Sequence, residues 1–533
     1  MKQNYFFLIV MLAFNFSNAQ TINFTDANLK QKLIESDVTN QIAKNLSGNF
    51  FKIDANGDNE IQVTEVSQVS YLDVNNAMIS SLDGLSNFIN LTELRCYDNQ
   101  LSVIPFNGIQ NLKKLYCFNN QISVLDVSAL VNLEVLLCNN NWSTGLNLNG
   151  LVNLQNCSVD FNPITTLVFS NVPNLKKLSC AYTNLTSLNV SNLSNLEYLY
   201  CSHSLITNLN ISGLNNLIEL DCNNNFITAL AVANLNNFKK LNCSYNQLTN
   251  LNFTATPGLK YLDCSYNQIQ QSNLVNVDNL EFLNYSGNQL SSLVTSNFTS
   301  LKTLICGYNQ LTTLQTTSLF QLQELNCENN LLTSIDTENL NLLTNLICSY
   351  NSLTALNVSN CTALTRVDCS YNQIQFLDFN NLPNLGIILV NNNNLNTLYI
   401  KNGNRQTVGA TSVHNNPDLT NVCLDAIEQD LGTYITTLYP NCVLGSECGG
   451  GISDDSISLR LKFIPNPVSD FLNISLDANK RITSLRIHNM LGQLVYTTDQ
   501  SAQVIDVSSL KSGSYITTIV ADGKTQLGKF VKN

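Results

Sequence analysis

Charge is scarce in this chain of 533 residues: Asp, Glu, Lys and Arg together make up only 12% of it. An ordinary soluble domain carries about 25%. Hydrophobic residues supply 44%, enough to fold, and the polarity comes from Asn, Ser and Thr. The 38 acidic residues outnumber the 26 basic ones, giving a net charge of −12, and no stretch collects Lys or Arg. A surface that tracks phosphates needs clustered cations, so nucleic acid is not expected as a partner. Histidine is nearly absent. His203, His414 and His488 fall in three different segments, so each reads as a surface residue rather than part of a Ser-His-Asp or Cys-His arrangement. There is no Gly-rich phosphate loop, no His-Glu-x-x-His and no sustained carboxylate pair. These absences point away from an enzyme.

Long apolar runs are missing beyond the first residues. No later segment approaches the ~18 residues of a membrane span, so no transmembrane segment is expected in the mature chain. Residues 1–19 read as a signal peptide. Lys2 opens it, Phe6 to Phe14 form a short apolar core, and Ser17-Asn18-Ala19 is a small-x-small cleavage site before Gln20. The length is too great for a single core and implies roughly two to four folding units.

Cysteine is abundant, with 17 copies, and its spacing is the strongest signal in the chain. Cys96, Cys117 and Cys138 stand 21 residues apart. So do Cys180, Cys201, Cys222, Cys243 and Cys264, and then Cys306, Cys327, Cys348 and Cys369. Val159, Tyr285 and Val390 fill the gaps on the same grid, so 15 positions run from 96 to 390 without insertion or deletion. Asn stands three residues after the column, Thr183 and Ser204 being the exceptions. An apolar residue such as Leu94 or Leu262 precedes it by two, and Leu or Ile follows it by five.

A fixed period of this kind means stacked repeats. The stretch Leu259-Lys-Tyr-Leu262-Asp-Cys264-Ser-Tyr-Asn267-Gln-Ile269 resembles the leucine-rich-repeat signature L-x-x-L-x-[L/C]-x-x-N-x-L. The resemblance covers residues 72–400, beginning with a degenerate repeat at Leu72-Asp-Val74. It implies a repeat solenoid: a right-handed coil with a parallel β-sheet on its concave face and one short strand per turn. Elementary physics agrees. Alternation around the Cys column reads as a strand with one buried face. The Asn column suits a tight turn whose stacked amides satisfy backbone groups. No repeat buries its apolar face alone, so stability comes from neighbours. At a strand spacing of about 4.8 Å the 15 strands extend over roughly 70 Å.

Many cysteines in an exported chain invite disulfides. Each ladder position, however, points into the core and is held by Val or Tyr in other repeats, so free buried thiols are expected. Cys157 and Cys361 also fall on core columns. The period lacks the short paired spacings of a zinc site.

An open solenoid must be capped at both ends. Residues 20–71 read as the N-terminal cap, with an amphipathic helix over Asn28 to Glu35, capped by Thr25 or Asp26. The run Asp54-Ala-Asn56-Gly-Asp58-Asn59-Glu60-Ile61-Gln62-Val-Thr-Glu65 resembles an EF-hand loop. That resemblance implies a structural Ca²⁺ held by Asp54, Asn56, Asp58, the carbonyl of Glu60, and Glu65, stapling the cap. Asn59 stands where the family has Gly, and a polar turn without metal is the alternative. Residues 401–447 lose the register and read as the C-terminal cap. Cys423 and Cys442 lie off the ladder there and are expected to pair as a disulfide. Cys448 is left over at the start of a linker, 448–457, that contains Gly449-Gly450-Gly451.

From 458 to 533 short alternating strands are separated by turn signals, as in a small β-sandwich. Pro465-Asn466-Pro467, Asn489-Met-Leu491-Gly492-Gln493-Leu-Val495, Leu510-Lys511-Ser-Gly513-Ser-Tyr515 and a basic C-terminus come in order. Together they resemble the C-terminal sorting domain of type IX secretion, the outer-membrane export route of Bacteroidetes. The resemblance implies handling by that secretion machinery, typically cleavage of the domain, and a cargo that is released or attached to the outer-membrane surface.

Binding is the function left open. Residues flanking the Cys column point away from the core. Candidate ligand contacts are Asp221, Asp263 and Asp368 just before it, and Tyr182, Tyr245, Tyr266, Tyr308, Tyr350 and Tyr371 two residues after it. The mixed columns suit an adhesin-like protein that recognises a protein or glycoprotein. The Tyr stripe suits a glycan instead, or packs as repeat consensus on its neighbours.

Overall fold

The computed structural model describes residues 20–254, 256–275 and 277–445, and in the tail 462–464, 466–475, 482–489, 493–498, 504–521 and 524–533. The signal peptide expected at 1–19 and the linker expected at 448–457 lie outside the described residues. The chain divides into two compact units, one ending at Cys448 and the other beginning at Gly449.

In the first unit each repeat supplies a strand of three residues, such as Tyr261–Asp263, whose central Leu262 is buried while both flanking side chains stay half-exposed. Three residues suffice because the strand is tied on both sides. Fifteen parallel strands, from Glu93–Arg95 to Ile387–Leu389, belong to one 18-stranded sheet. They pair residue for residue at the sequence period, as in Leu94↔Leu115 and Leu262↔Leu283. Before them Val69–Asp73 joins in parallel, and Ala43–Asn45 closes the edge in the antiparallel sense. After them Thr411–Ser412 adds a strand two residues out of period, Ile388 facing Thr411. The solenoid thus runs past residue 400 into the segment read as a cap.

A second set of short parallel strands lies farther round some of the coils. Gly145–Asn147 pairs with Thr166–Val168, and Ser187–Asn189 with Asn208–Asn210. Phe376–Asp378, Thr397–Tyr399, Asn421–Cys423 and Val443–Gly445 form a further sheet. The interior between the two sets is filled by Leu, Ile, Val and Cys.

The ladder cysteines are free and buried. Cys157 lies between Leu136 and Leu178 in the strand register, and Tyr285 occupies the column at 1% exposure. Beside this column runs the asparagine ladder. Asn246 Nδ2 donates to Cys222 O (3.0 Å), Cys243 O (3.2 Å) and Ser244 O (3.1 Å), while its Oδ1 accepts from Ile227 N (2.9 Å). One buried amide therefore ties two turns and satisfies the backbone that a tight coil leaves unpaired. At the displaced last turn Asn416 does the same, donating to Val390 O (3.1 Å) and Val413 O (2.8 Å). A second asparagine column, not read from the sequence, runs along the exposed edge. Asn174 donates to Val152 O (2.8 Å), Asn195 to Pro173 O (2.9 Å) and Asn216 to Ser194 O (3.0 Å).

The first ladder is interrupted at Thr183 and Ser204, whose hydroxyls bond each other (3.0 Å). In the flanking turns Ser143 N and Ile206 N meet Asn162 and Asn225 Oδ1 at 3.1 and 3.0 Å. Ile164 N and Leu185 N, in the same place, face only these short hydroxyls. The double substitution Thr183→Asn, Ser204→Asn is expected to complete the ladder and stabilise the unit by about 1–2 kcal/mol. Denaturant titration checks it, and an unchanged midpoint would show that the hydroxyls already suffice.

Helix Ala27–Ile34 is capped by Asp26, whose Oδ1 accepts from Asn28 N (2.9 Å) and Leu29 N (3.0 Å). Its other oxygen accepts from Ser80 N (2.7 Å), which pins the helix to the first repeat. Leu29 and Leu33 are buried.

At the other end the expected Cys423–Cys442 disulfide is not made. Cys442 is a buried free thiol, raised in pKa by burial, whereas Cys423 is disulfide-bonded. The register explains it. Cys423 faces Gly445 across a parallel pair in which Asn421 faces Val443, so Cys442 lies three residues away along the strand. At ~3.3 Å per residue that is about 10 Å, beyond the reach of a disulfide. The seventeenth cysteine, Cys448, lies outside the described residues.

The second unit forms two antiparallel sheets. One contains Lys462–Ile464, Phe471–Ser475 and Val504–Asp506, the other Leu494–Thr498, Ile482–Asn489, Gly513–Ala521 and Lys524–Lys532. They share one apolar cluster that includes Leu472, Leu485, Ile505, Ile519 and Phe530, the layering of a small sandwich.

Candidate binding face

Each three-residue strand turns its first and third side chains outward, so the main sheet presents two side-chain columns along its length. The face is mixed in chemistry. Near the N-terminal end Arg95 lies over the rings of Tyr71 (5.3 Å) and Tyr116 (5.0 Å), and Glu93 pairs with Arg95 (2.8 Å) and Lys114 (3.5 Å). Farther along, Lys177 lies over Tyr200 (5.3 Å) and Lys240 over Tyr261 (5.4 Å). The Tyr261 and Phe282 rings stack at 4.3 Å. Burial, with Glu219 beside it, pushes the Tyr200 phenol up to about 12.

The three aspartates singled out from the sequence lie on this face, two of them close enough to share a patch. Asp263 Oδ1 accepts from Ser265 N (3.0 Å) and Ser265 Oγ (2.6 Å), and Asp368 Oδ1 accepts from Ser370 in the same way (3.2 and 2.7 Å). Each carboxylate therefore also caps the turn that follows its strand. This explains why Ser so often follows the Cys column. Asp221 caps Asn223 N (3.2 Å), and burial raises its pKa.

The six tyrosines occupy the turn beyond the strand. Their backbone is left-handed in every case, for example φ +54° at Tyr182 and +51° at Tyr266. Asp98, Asn119, Asn140, Asn224 and Asn329 fill the same column with the same sign of φ, as expected of residues that tolerate this region. The rings stack on one another: Phe161 on Tyr182 and Tyr182 on His203 (both 4.3 Å), Tyr245 on Tyr266 (4.4 Å) and Tyr350 on Tyr371 (4.1 Å). A Cβ at Gly287 would come within 2.7 Å of Tyr266, so the next turn covers that ring too. Face-to-face stacking hides the surfaces on which a sugar would lie. Tyr308 alone has no stacked ring among the described contacts and is 52% exposed.

Lysines and glutamates alternate one column before the strand and neutralise each other. Glu281 is bracketed by Lys260 (2.9 Å) and Lys302 (2.7 Å), which hold its carboxyl down at about 2. Lys113 and Lys176 pair likewise with Glu134 and Glu197. Such exposed pairs contribute about 0–1 kcal/mol each.

The EF-hand-like segment has the expected backbone. Asn59 takes φ +62° where the family has Gly, Ile61 is buried and helix Val63–Val66 follows. Asp54 Oδ1 accepts from Gly57 N (2.9 Å) and Asp58 N (3.2 Å), and Asp58 Oδ1 from Glu60 N (2.8 Å). The Glu60 side chain reaches outward to Lys30 (2.7 Å), leaving only its carbonyl for a metal. Glu65 spends both oxygens on amides, Ala55 N (2.8 Å) and Gln62 N (2.9 Å). All the donors are oxygens and suit a hard cation, but Glu65 has to exchange those bonds. Among the described residues no group of three or more His, Cys, Asp or Glu is gathered to hold a metal ion.

One contact was invisible in the sequence. Ser412 Oγ lies 3.1 Å from His414 Nε2, and His414 Nδ1 lies 3.3 Å from Tyr434 Oη. Ser412 donates its own proton to Asn391 Oδ1 (2.8 Å), so the pair is not set up as a nucleophile and its base.

The fold and face define a leucine-rich-repeat solenoid followed by a small sandwich. Residues 462–533 match the family of the secretion system C-terminal sorting domain. Among solved structures the chain is similar to the functional domain of InlJ from Listeria monocytogenes, which includes a cysteine ladder. Identity is 20% and TM-score 0.50, covering 97% of this chain and 100% of that one. It is also similar to a leucine-rich-repeat protein of Leptospira interrogans, with 22% identity and TM-score 0.52, covering 72% and 97%. A third likeness is to a TDR receptor, with 20% identity and TM-score 0.55, covering 68% and 73%. These likenesses establish the fold. The search of curated proteins found no match. The sorting domain marks the chain for secretion or surface attachment, and among the described residues no helix is long and apolar enough to cross a membrane.

Proposed function

We propose that this is an exported, adhesin-like binding protein that recognises a macromolecule, in first place a protein, through the strand face of its solenoid. The observation that carries this reading is the face itself. Two outward columns repeat on a single 18-stranded sheet, bearing cationic, anionic, aromatic and apolar side chains without a repeating order. An irregular surface of this kind complements another irregular surface better than a periodic polymer. The covered rings of the Tyr column argue in the same direction. Binding, not turnover, is the role assigned.

The test is binding of the purified protein to cells and extracellular matrix pretreated with protease or with periodate. Loss after protease alone is the expected result. Loss after periodate alone would replace a protein ligand with a glycan and make Tyr308 the first residue to substitute.

Ca²⁺ in the N-terminal cap is a second part of the proposal, supported by the loop backbone and its oxygen donors. Asp54, Asn56, Asp58, the Glu60 carbonyl and Glu65 would hold it, and the ion would neutralise the crowded carboxylates of the cap. Calorimetric titration with CaCl₂ is expected to give heat and a higher melting temperature, both abolished by Asp54→Asn. Neither signal in the wild type would leave the loop as a polar turn.

A further inference from the structure

The charge on the strand face is unevenly satisfied. In the central turns Glu219 is paired with Lys240 (2.8 Å), and Lys177 and Lys240 already lie over Tyr200 and Tyr261. Asp221 and Asp263 sit in the same outward column, one turn on either side of Asn242, and among the described residues neither makes an ion pair. The turn-capping bonds fall on one oxygen of each, Asp221 Oδ1 and Asp263 Oδ1. Asn284 Nδ2 reaches Asp263 Oδ2 only at 3.3 Å. Each carboxylate thus keeps an oxygen for an incoming donor. Aromatic carbon frames them: Tyr200 precedes Asp221, and the stacked pair Tyr261–Phe282 flanks Asp263.

We propose that the face between Tyr198 and Phe282 docks an extended, lysine- or arginine-bearing segment of a protein partner. Asp221 and Asp263 take its cations, and Tyr200, Tyr261 and Phe282 take its aliphatic carbons. The inference deepens the binding function above and rests on it. The spacing makes it specific. The two aspartates stand two strands apart, about 10 Å at ~4.8 Å per strand, and a segment in the extended polyproline-II conformation advances ~3.1 Å per residue with about three residues per turn. Cations three residues apart therefore lie on one face at the separation of the two aspartates, and cations two residues apart do not. Tyr200, Tyr261 and Phe282 stay half-exposed beside Lys177 and Lys240, so the ring edges are open to aliphatic carbon.

The probes are two fluorescein-labelled peptides of equal composition: the spaced peptide, with four lysines at every third position among serines, and a second with the four lysines at every second position. Anisotropy at low salt compares the wild-type protein, Asp221→Asn/Asp263→Asn, and the charge-matched control Asp126→Asn/Asp336→Asn on the far side of the coil. Asparagine still caps the following turn, so the face variant is expected to fold. The expected result is that the face variant binds the spaced peptide at least ~10-fold more weakly than wild type while the control is unchanged. The wild type should also prefer the spaced peptide to the second one. Equal weakening in both variants would reduce the effect to net charge and overturn the proposal, as would equal binding of the two peptides. If the peptides fail while cell binding persists, the basic segment is wrong and the binding face survives. If both fail, the function above falls with it.

Discussion

Asn246→Ala lowers the stability of the solenoid by about 3 kcal/mol. The substitution removes three donated bonds and leaves Ile227 N, in a buried turn, without its 2.9 Å acceptor. A lost acceptor costs a buried amide about 1–3 kcal/mol, more than the modest net value of the bond itself. The carbonyls suffer less, because Cys243 O is also reached by Asn267 at 3.0 Å. In a stack where each turn contacts only its neighbours, the damage is local. Hydrogen exchange should therefore rise in the turns around 227 and 246 and stay unchanged near 100 or 390. Asn250→Ala, on an exposed turn, is the control, with an expected effect under about 0.5 kcal/mol. A loss for Asn246→Ala as small as that of the control would mean that water replaces the amide.

Above pH 9 the protein should lose stability steeply. Burial raises all fifteen free thiols among the described residues, with Cys138 and Cys306 pushed up to about 12 and Cys361 to about 11, against an ordinary value of 9.0. Folded thiols keep their protons where unfolded ones shed them. This stabilisation is complete below pH 9, declines as pH rises through the interval from 9 to about 12, and is lost once the folded thiols ionise. Each thiol contributes up to about 1.4 kcal/mol per pH unit within that window. The triple variant Cys222→Val/Cys243→Val/Cys264→Val should be close to neutral at pH 7 and show a shallower alkaline slope. At pH 8 an aromatic disulfide reagent should leave the folded protein unlabelled and react with all fifteen thiols in guanidinium. Rapid labelling of several ladder cysteines in the folded state would contradict the buried column.

The repeat was legible because its cause is local and periodic. One Cys, one Asn and two apolar positions per turn define a strand, a turn and an interior, and the fifteen strands fall in register where the Cys column places them. Features set by contacts between turns were less visible. The second asparagine column involves bonds to carbonyls 22 residues back, such as Asn174 to Val152, and backbone acceptors leave no mark in sequence. The back strands of the regular repeats are centred on the Leu eight residues after the Cys column, as at Leu146 and Leu188, but turns such as that of Leu125 carry the same Leu without a strand, so the pattern alone does not place them. Cys423 and Cys442 looked like partners because both leave the ladder, but pairing depends on register, and the pairing of Asn421 with Val443 sets Cys423 opposite Gly445, three residues past Cys442. The tyrosines were legible as a column. That their rings face each other follows from a left-handed turn repeated at every strand spacing, which composition does not reveal. Asp221 and Asp263 were found as outward residues, and only the structure shows which of their oxygens the turns consume.

The most direct measurement blocks the face. Asn242→Cys places one reachable thiol between Asp221 and Asp263, and Asn250→Cys places one on an outer turn of the same coil. With the ladder buried, a maleimide-linked polyethylene glycol should modify only the new cysteine. Modification at 242 is expected to abolish binding to cells and matrix, while modification at 250 leaves it intact. Binding that survives at 242, or is lost equally at both positions, would contradict a ligand on the strand face.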